Sequence, residues 1–199
     1  MKFIHVNMTS GAITEAPVPE PYEMLGGRGL TSIMISELVP ADCDPLGKEN
    51  LLVFAPGFLT GPPLANTGRL SIGGKSPLTG GIKESNVGGT MAAALSRQGI
   101  RAVVVEGKAP ENALYHLVID ADGSASLADA SECRGMRNYE LAQRLLDRYG
   151  DKNAISSIGP AGEMMLESAS IQTTDPDGRP SRAAARGGLG AVMGAKGLK

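Results

Sequence analysis

At 199 residues the chain can form one large or two small domains with a buried core, and its 19 basic against 21 acidic residues leave a net charge of −2. That balance, with four Tyr, three Phe and no Trp, argues against the basic, base-stacking surface that nucleic acid requires. No apolar run reaches bilayer length and the N-terminus lacks a signal-peptide core, so the expectation is a soluble, cytoplasmic protein with no membrane partner.

Residues 2–8 alternate apolar and polar, and Thr9-Ser10-Gly11 turns the chain into a second short strand near 12–16, which predicts a β-hairpin. Three prolines (Pro17, Pro19, Pro21) carry an extended link to a helix over 30–38, whose face is drawn by Leu30, Ile33, Met34 and Leu38 and whose end is set by Pro40. The apolar run 51–55, flanked by turn residues, predicts a buried strand. An irregular loop through Asn66 follows, then a strand over 69–72, a turn over 75–81, and a glycine-pair helix from Gly88-Gly89. A β-branched strand at 102–105 completes the first half. The second half predicts the same order: a hairpin over 114–119 and 124–128, a helix over 139–149, strands at 154–158 and 169–171, and a glycine-pair helix from Gly187-Gly188.

The two glycine-pair segments are the chemically informative ones. Arg182 and Arg186 lie four apart before Gly187-Gly188 and a small-residue helix. Glycine pairs let backbone N–H groups turn toward a ligand, helix starts carry partial positive charge, and arginine offers a bidentate fork for phosphate. Asn86-Val87-Gly88-Gly89 and the residues after it repeat the pattern, 99 positions earlier. With 27 glycines spread along the chain, backbone-lined binding loops are expected rather than a linker. The matching order of elements predicts an internal duplication of two α+β halves, about 1–108 and 112–199, related by a pseudo-twofold axis. The first glycine-pair helix is followed by a strand, and the second stops at Lys199, so the second repeat is expected to lack its last strand.

Several motifs have plainer readings. Gly73-Gly74-Lys75-Ser76 lacks the glycine a phosphate-binding P-loop needs five positions before Gly74, where Arg69 stands. Gly188-x-Gly190 with Gly194 has one residue too many for a dinucleotide fingerprint and follows an expected Arg/Ala loop rather than a strand. His5 and His116 read as sheet histidines, Asp175-Pro176-Asp177-Gly178 as a turn, Met164-Met165 as core filler, and Cys43 and Cys133 as reduced thiols.

Asp44-Pro45-Leu46, Lys75-Ser76-Pro77-Leu78-Thr79-Gly80, Ser85-Asn86-Val87-Gly88-Gly89, Val105-Glu106-Gly107-Lys108-Ala109, Ile158-Gly159-Pro160-Ala161-Gly162-Glu163 and 186–194 occur in one order. Together they closely resemble the N-terminal domain of the tungsten-containing aldehyde:ferredoxin oxidoreductase family, over essentially the whole chain. The resemblance implies a duplicated α+β domain whose sheets form a base for a tungsten or molybdenum bis-pterin cofactor. It places Arg69 between the pterin and a neighbouring 4Fe-4S cluster, and makes Asn86, Gly88, Arg182, Ala183, Ala185 and Arg186 cofactor contacts. Backbone carbonyls at Asn86 and Ala183 would help hold a magnesium ion that bridges two pterin phosphates. Ala185 stands where the family has glycine. No catalytic residue is expected in this stretch. The cluster cysteines and the substrate channel would belong to later helical domains, absent here, or to a separate subunit that carries them. The implied reaction is aldehyde oxidation to carboxylate, with electrons passed through the cluster to ferredoxin. The isolated domain would be inactive, and a homo-oligomer is left open. The alternative reading is a non-catalytic phosphate- or nucleotide-binding module on the same fold.

Overall fold

A computed structural model describes all of residues 1–199. It is a mixed α+β structure built on one six-stranded sheet. The strands are β1 (Lys2–Asn7), β2 (Ala12–Pro17), β3 (Leu52–Pro56), β4 (Leu70–Lys75), β5 (Ile82–Val87) and β6 (Ile100–Glu106), in the spatial order β2-β1-β6-β3-β4-β5. The most β-branched segment, β6, takes the centre, where both its faces are covered. It runs parallel to β1 and antiparallel to β3.

Helix α1 (Gly27–Leu38) covers one face of this sheet. Its buried Leu30, Met34 and Ile35 share a core with Phe3, Val53, Ala102 and Val104. The close approach needs glycine beneath it, since a Cβ on Gly73 would lie 2.5 Å from the Thr31 Cβ. A Cβ on Gly74 would lie 2.8 Å from the Leu51 carbonyl oxygen. The Gly73-Gly74 pair therefore spaces a sheet and cradles no phosphate.

Helix α2 (Met91–Arg97) and the whole second half lie on the other face. The second half contributes the hairpin β7 (Tyr115–Ile119) and β8 (Ala125–Asp129), helix α3 (Asn138–Tyr149), strand β9 (Ser156–Ser157) and the short helix α4 (Pro160–Glu163). Strands β10 (Ile171–Thr173) and β11 (Arg182–Ala184) and helix α5 (Leu189–Ala195) complete it. The strands β9, β10 and β11 form a separate three-stranded sheet, and β7–β8 stay a two-stranded one. Buried Leu189, Val192, Met193 and Leu198 join the largest core cluster with Ile4, Leu52, Ile72 and Val105, so the two halves share one interior. A smaller cluster, centred on Leu141, Leu145 and Ile155, fills the space under α3.

The turn over 75–81 forms as expected, and after it comes β5, a polar edge strand with little propensity of its own that the sequence reading lacks and that β4 holds through a six-residue antiparallel register. Three sequence expectations change. The loop before the second glycine pair contains β11, paired with β10. Pro160 opens a helical turn instead of a loop, because proline suits the first helical position. Met164 and Met165 are not core filler, being 67% and 39% exposed. After α5, Leu198 forms a parallel bridge with Tyr115, next to the Tyr115 N–H that donates to Gly197 O at 2.8 Å. Asp175 forms the expected turn, its carboxylate accepting from the Asp177 and Arg179 amides and from the Ser181 hydroxyl. These donors hold the Asp175 carboxyl below the usual carboxylate range, the Ser181 hydroxyl foremost. Both cysteines are free and buried, and burial pushes their thiols up. No helix is long and apolar enough to cross a membrane.

Candidate anion-binding face at the seam of the two halves

The polar edge strand β5 divides its side chains between the two faces of the sheet. Ser85 and Val87 turn toward the second half, while Glu84 and Asn86 turn toward α1. On the α1 side, Arg69 Nε donates to Asn86 Oδ1 at 2.5 Å, and Asn86 Nδ2 reaches Ser71 Oγ at 3.4 Å. Ser71 Oγ donates to Glu84 Oε1 at 2.5 Å, and Arg28 at the start of α1 holds the other oxygen of Glu84 at 3.1 Å. This chain of contacts fixes the Asn86 amide and, through it, the Arg69 guanidinium. Gly88 completes the group, since a Cβ there would lie 3.2 Å from Arg69 Nη1.

The second corner arrives from the opposite side of β5. The Arg186 amide donates to Ser85 Oγ at 3.2 Å, and Ser76 Oγ donates to Gly187 O at 2.8 Å. Thr90, just past the first glycine pair, donates its amide to Thr174 O at 2.9 Å. A side chain on Gly89 would strike that same carbonyl. The two glycine corners are thus bonded to each other's neighbourhoods across the seam.

Arg69, Asn86 and Gly88 are brought together directly, and Arg186 joins them through its backbone, one residue from Asn86. Arg182 and Ala183 lie in β11, and Arg182, Ala183, Ala185 and Arg186 are exposed. Neither the Arg182 nor the Arg186 guanidinium has a hydrogen bond or ion pair within the chain. Ala185 is not among the residues with positive φ, so alanine there carries no left-handed strain.

Two groups escaped sequence reasoning. Ser85 is the acceptor that joins the corners, and Lys83 packs its stem where a Cβ of Gly187 would sit, adding a third cation beside Arg182 and Arg186. Their signal was the alternation along β5, hidden because its residues are mostly polar and lie between an expected turn and a glycine pair. The helix starts contribute less than the sequence suggests. Both glycine-pair helices have only seven residues, so cationic side chains and loop amides dominate this face.

The site is an open face and not a pocket. A groove of about 640 Å³ lined by β7, α2 and α3 contains none of these seven residues. Nowhere do three His, Cys, Asp or Glu side chains converge as a metal-binding cluster. A metal ion at this face would therefore draw on backbone carbonyls and on oxygens of a bound group.

Residues 3–199 match the family described as aldehyde ferredoxin oxidoreductase, N-terminal domain. The chain belongs to this family. It is 40% identical over 201 residues to the tungsten-containing aldehyde ferredoxin oxidoreductase of Pyrococcus furiosus, and 38% identical to that of Pyrococcus abyssi. Each match covers the whole chain and 32% of the relative, so this N-terminal domain spans about a third of those oxidoreductases. The WOR-like subunit of a P. furiosus aliphatic sulfonate oxidoreductase is 32% identical, with 33% of it covered. Among solved structures, the active site complex BamBC of benzoyl coenzyme A reductase, in complex with 1,5-dienoyl-CoA, superposes with a TM-score of 0.90 at 33% identity. That match covers the whole chain and 29% of the neighbour.

Proposed function

We propose that the face at the β5–β11 seam of this aldehyde ferredoxin oxidoreductase domain seats a tungsten bis-pterin cofactor, one phosphate at each glycine corner. The observation that carries this reading is the Arg186 amide on Ser85 Oγ, which brings the loop with two exposed, unpaired guanidiniums to β5 one residue from Asn86, the partner of Arg69. Arg182 and Arg186 would hold one phosphate through charge-assisted bonds. Lys83 lies near enough to support them. Asn86 and the glycine-lined backbone at Gly88 would meet the other phosphate, and Ala183 and Ala185 would present their backbone. Carbonyls of Asn86 and Ala183 suit a magnesium ion between the phosphates, since hard cations take oxygen ligands. Arg69, fixed by Asn86, would face the pterin on the side of a 4Fe-4S cluster supplied by the later domains and bias its electronics.

When bound, such a cofactor supplies the two-electron redox chemistry. In the full-length cytoplasmic enzyme an aldehyde and water would give a carboxylate, three protons and two electrons, the electrons leaving through the cluster to ferredoxin. This domain's own residues bind and orient. An open face needs a second wall, which the later domains would provide, so the domain alone would not turn over substrate.

The same reading explains the order of elements. Hairpin, helix, three strands and glycine-pair helix occur in both halves. A duplication with a pseudo-twofold axis would give two equivalent corners for two similar phosphates.

The test is pterin content of the full-length protein, measured after denaturing release, in an Arg182→Ala/Arg186→Ala double variant. Each lost charge-assisted bond is worth about 1.5–3 kcal/mol, so retention should weaken at least tenfold. Arg97→Ala, on an arginine that bonds only to its own helix, should retain the cofactor. Full pterin content in the double variant would remove this corner as a phosphate seat.

A further inference from the structure

Glu84 is a carboxylate where a sheet face rarely holds one. Its side chain is 5% exposed, between β5 and the start of α1, while its ion-pair partner Arg28 is 76% exposed. A pair so divided adds little as a salt bridge, because the outer partner keeps its water and the inner one still bears the cost of burial. The fold makes room for it all the same. Its register partner in β4 is Gly73, which sets no side chain against it.

What the carboxylate supplies is a direction. It only accepts hydrogen bonds, so Ser71 spends its one proton on Glu84 Oε1, at 2.5 Å. The Ser71 oxygen is left as an acceptor, and Asn86 turns its Nδ2 toward it at 3.4 Å. Asn86 Oδ1 then faces Arg69 Nε at 2.5 Å, the one hydrogen bond that the Arg69 side chain makes within the chain. A neutral amide in place of the carboxylate reverses this order. Arg28 Nε, 3.1 Å from Glu84 Oε2, is a donor only. In Glu84→Gln the amide oxygen therefore turns to Arg28 and the amide nitrogen to Ser71. Ser71 then donates to Asn86, the Asn86 amide inverts, and an N–H group meets Arg69 Nε, donor against donor.

We infer that Glu84 is a positioning residue for the cofactor, holding Arg69 at the face through Ser71 and Asn86. Taking this face as the pterin seat, on which the inference rests, the role has a definite sign. A guanidinium beside a redox group favours the more negative, reduced form and raises the reduction potential, so displacing Arg69 lowers it. A carboxylate acting directly does the opposite, and its removal raises the potential. Glu84→Gln should thus lower the potential although it removes a negative charge.

Redox titration of the full-length enzyme, with pterin content measured alongside, tests this in Glu84→Gln, Ser71→Ala, Arg69→Ala and the Glu84→Gln/Arg69→Ala double variant. The first two should each lower the potential, as Arg69→Ala does, with pterin content close to that of the parent. The double variant should fall no lower than Arg69→Ala alone, since groups acting through one another are not additive. Crystal structures of Glu84→Gln and Ser71→Ala should show the Arg69–Asn86 bond lost, and an intact bond overturns the inference. An upward or absent shift in Glu84→Gln, with Arg69→Ala lowering the potential, overturns it too and leaves the pterin seat standing. No shift in Arg69→Ala overturns both. Should Glu84→Gln not fold, Ser71→Ala breaks the same chain of bonds without altering a buried charge and decides by the same sign.

Discussion

The two halves carry the same kinds of element in the same order, yet only the first closes its strands into a continuous sheet. Between β1 and β3 lies β6, seven residues long, and both its neighbours are paired along it. Between β7 and β9 only Leu198 and Lys199 make contact, and the second half remains as two small sheets. The difference teaches that one central strand decides whether a set of hairpins and helices becomes a single layer. It also shows the second half leaning on the first for its core, through α5.

That dependence can be broken at equivalent positions. Gly99 and Gly197 each end a glycine-pair helix with positive φ, at 71° and 76°. A Cβ on Gly99 meets nothing within 4 Å, whereas one on Gly197 would lie 2.5 Å from the Ala109 Cβ. Gly99→Ala should cost about 1 kcal/mol, from left-handed strain alone. Gly197→Ala adds overpacking and should cost about 2–4 kcal/mol, read as the drop in thermal melting temperature. Equal losses would mean that α5 is not pressed against the link between the halves.

The next position, one residue before each glycine or nearly so, sharpens the contrast. Arg97 bonds to its own helix at Ala93 O, but Lys196 is buried and donates to Asn50 O at 2.6 Å and Gly107 O at 2.9 Å. Lys196→Met strips two carbonyls of their partner and should destabilise the chain by about 1–3 kcal/mol at pH 7, against under about 0.5 kcal/mol for Arg97→Met. Burial pulls Lys196 down to about 8 from an ordinary 10.5, with Glu106 opposing. The unfolded chain therefore holds more protons than the folded one between these values, and the penalty for burying the charge is relieved as pH rises. Stability from this group should increase from about pH 8 to 10.5, by roughly 3 kcal/mol at most, and Lys196→Met should lack the increase in chemical denaturation curves.

At the face itself the two corners should differ in kind. Arg69→Ala in the full-length enzyme should shift the reduction potential of the cofactor more than its occupancy, because Asn86 and the glycine backbone remain. A redox titration identical to that of the parent enzyme would contradict that role. The smallest effect is expected from Lys83→Gln. One flexible, partly exposed cation is worth about 0.3–1 kcal/mol, so pterin retention should fall by no more than about fivefold.

How much of this was legible follows from what each signal depends on. Helices α1 and α3 were readable because apolar positions recur at helical spacing. In α3 a burial stripe results at Leu141, Leu145 and Leu146, whereas in α1 the expected Ile33 and Leu38 are exposed and Ile35 is buried beside Leu30 and Met34. The buried strands β3 and β6 were readable from apolar and β-branched runs. The family was readable from motifs. β5 and β11 were not, because Lys83, Glu84, Ser85 and Asn86 are polar and Arg182–Ala184 is short. Their strand state comes from pairing with β4 and β10, a tertiary cause that local pattern does not carry. The candidate site suffers most from this, because Asn86, Arg182 and Ala183 lie on those strands. The arginine–glycine pattern pointed to Arg186 and the resemblance to Asn86, but only the fold reveals Ser85 between them and the Arg28–Glu84–Ser71 chain behind them. Likewise Gly187-Gly188 reads as a ligand loop. In the structure Gly188 is also forced by packing, since a Cβ there would overlap the Glu167 carbonyl.

The central claim, that the seam of β5 and β11 is the cofactor's seat, is tested most directly by locating the metal in crystals of the full-length enzyme. An anomalous-difference map at the tungsten edge should show one peak above the face made by Arg69, Asn86, Gly88, Arg182 and Arg186, with the groove beside β7 free of metal. A tungsten peak in that groove, or at any site remote from both glycine corners, would contradict the account.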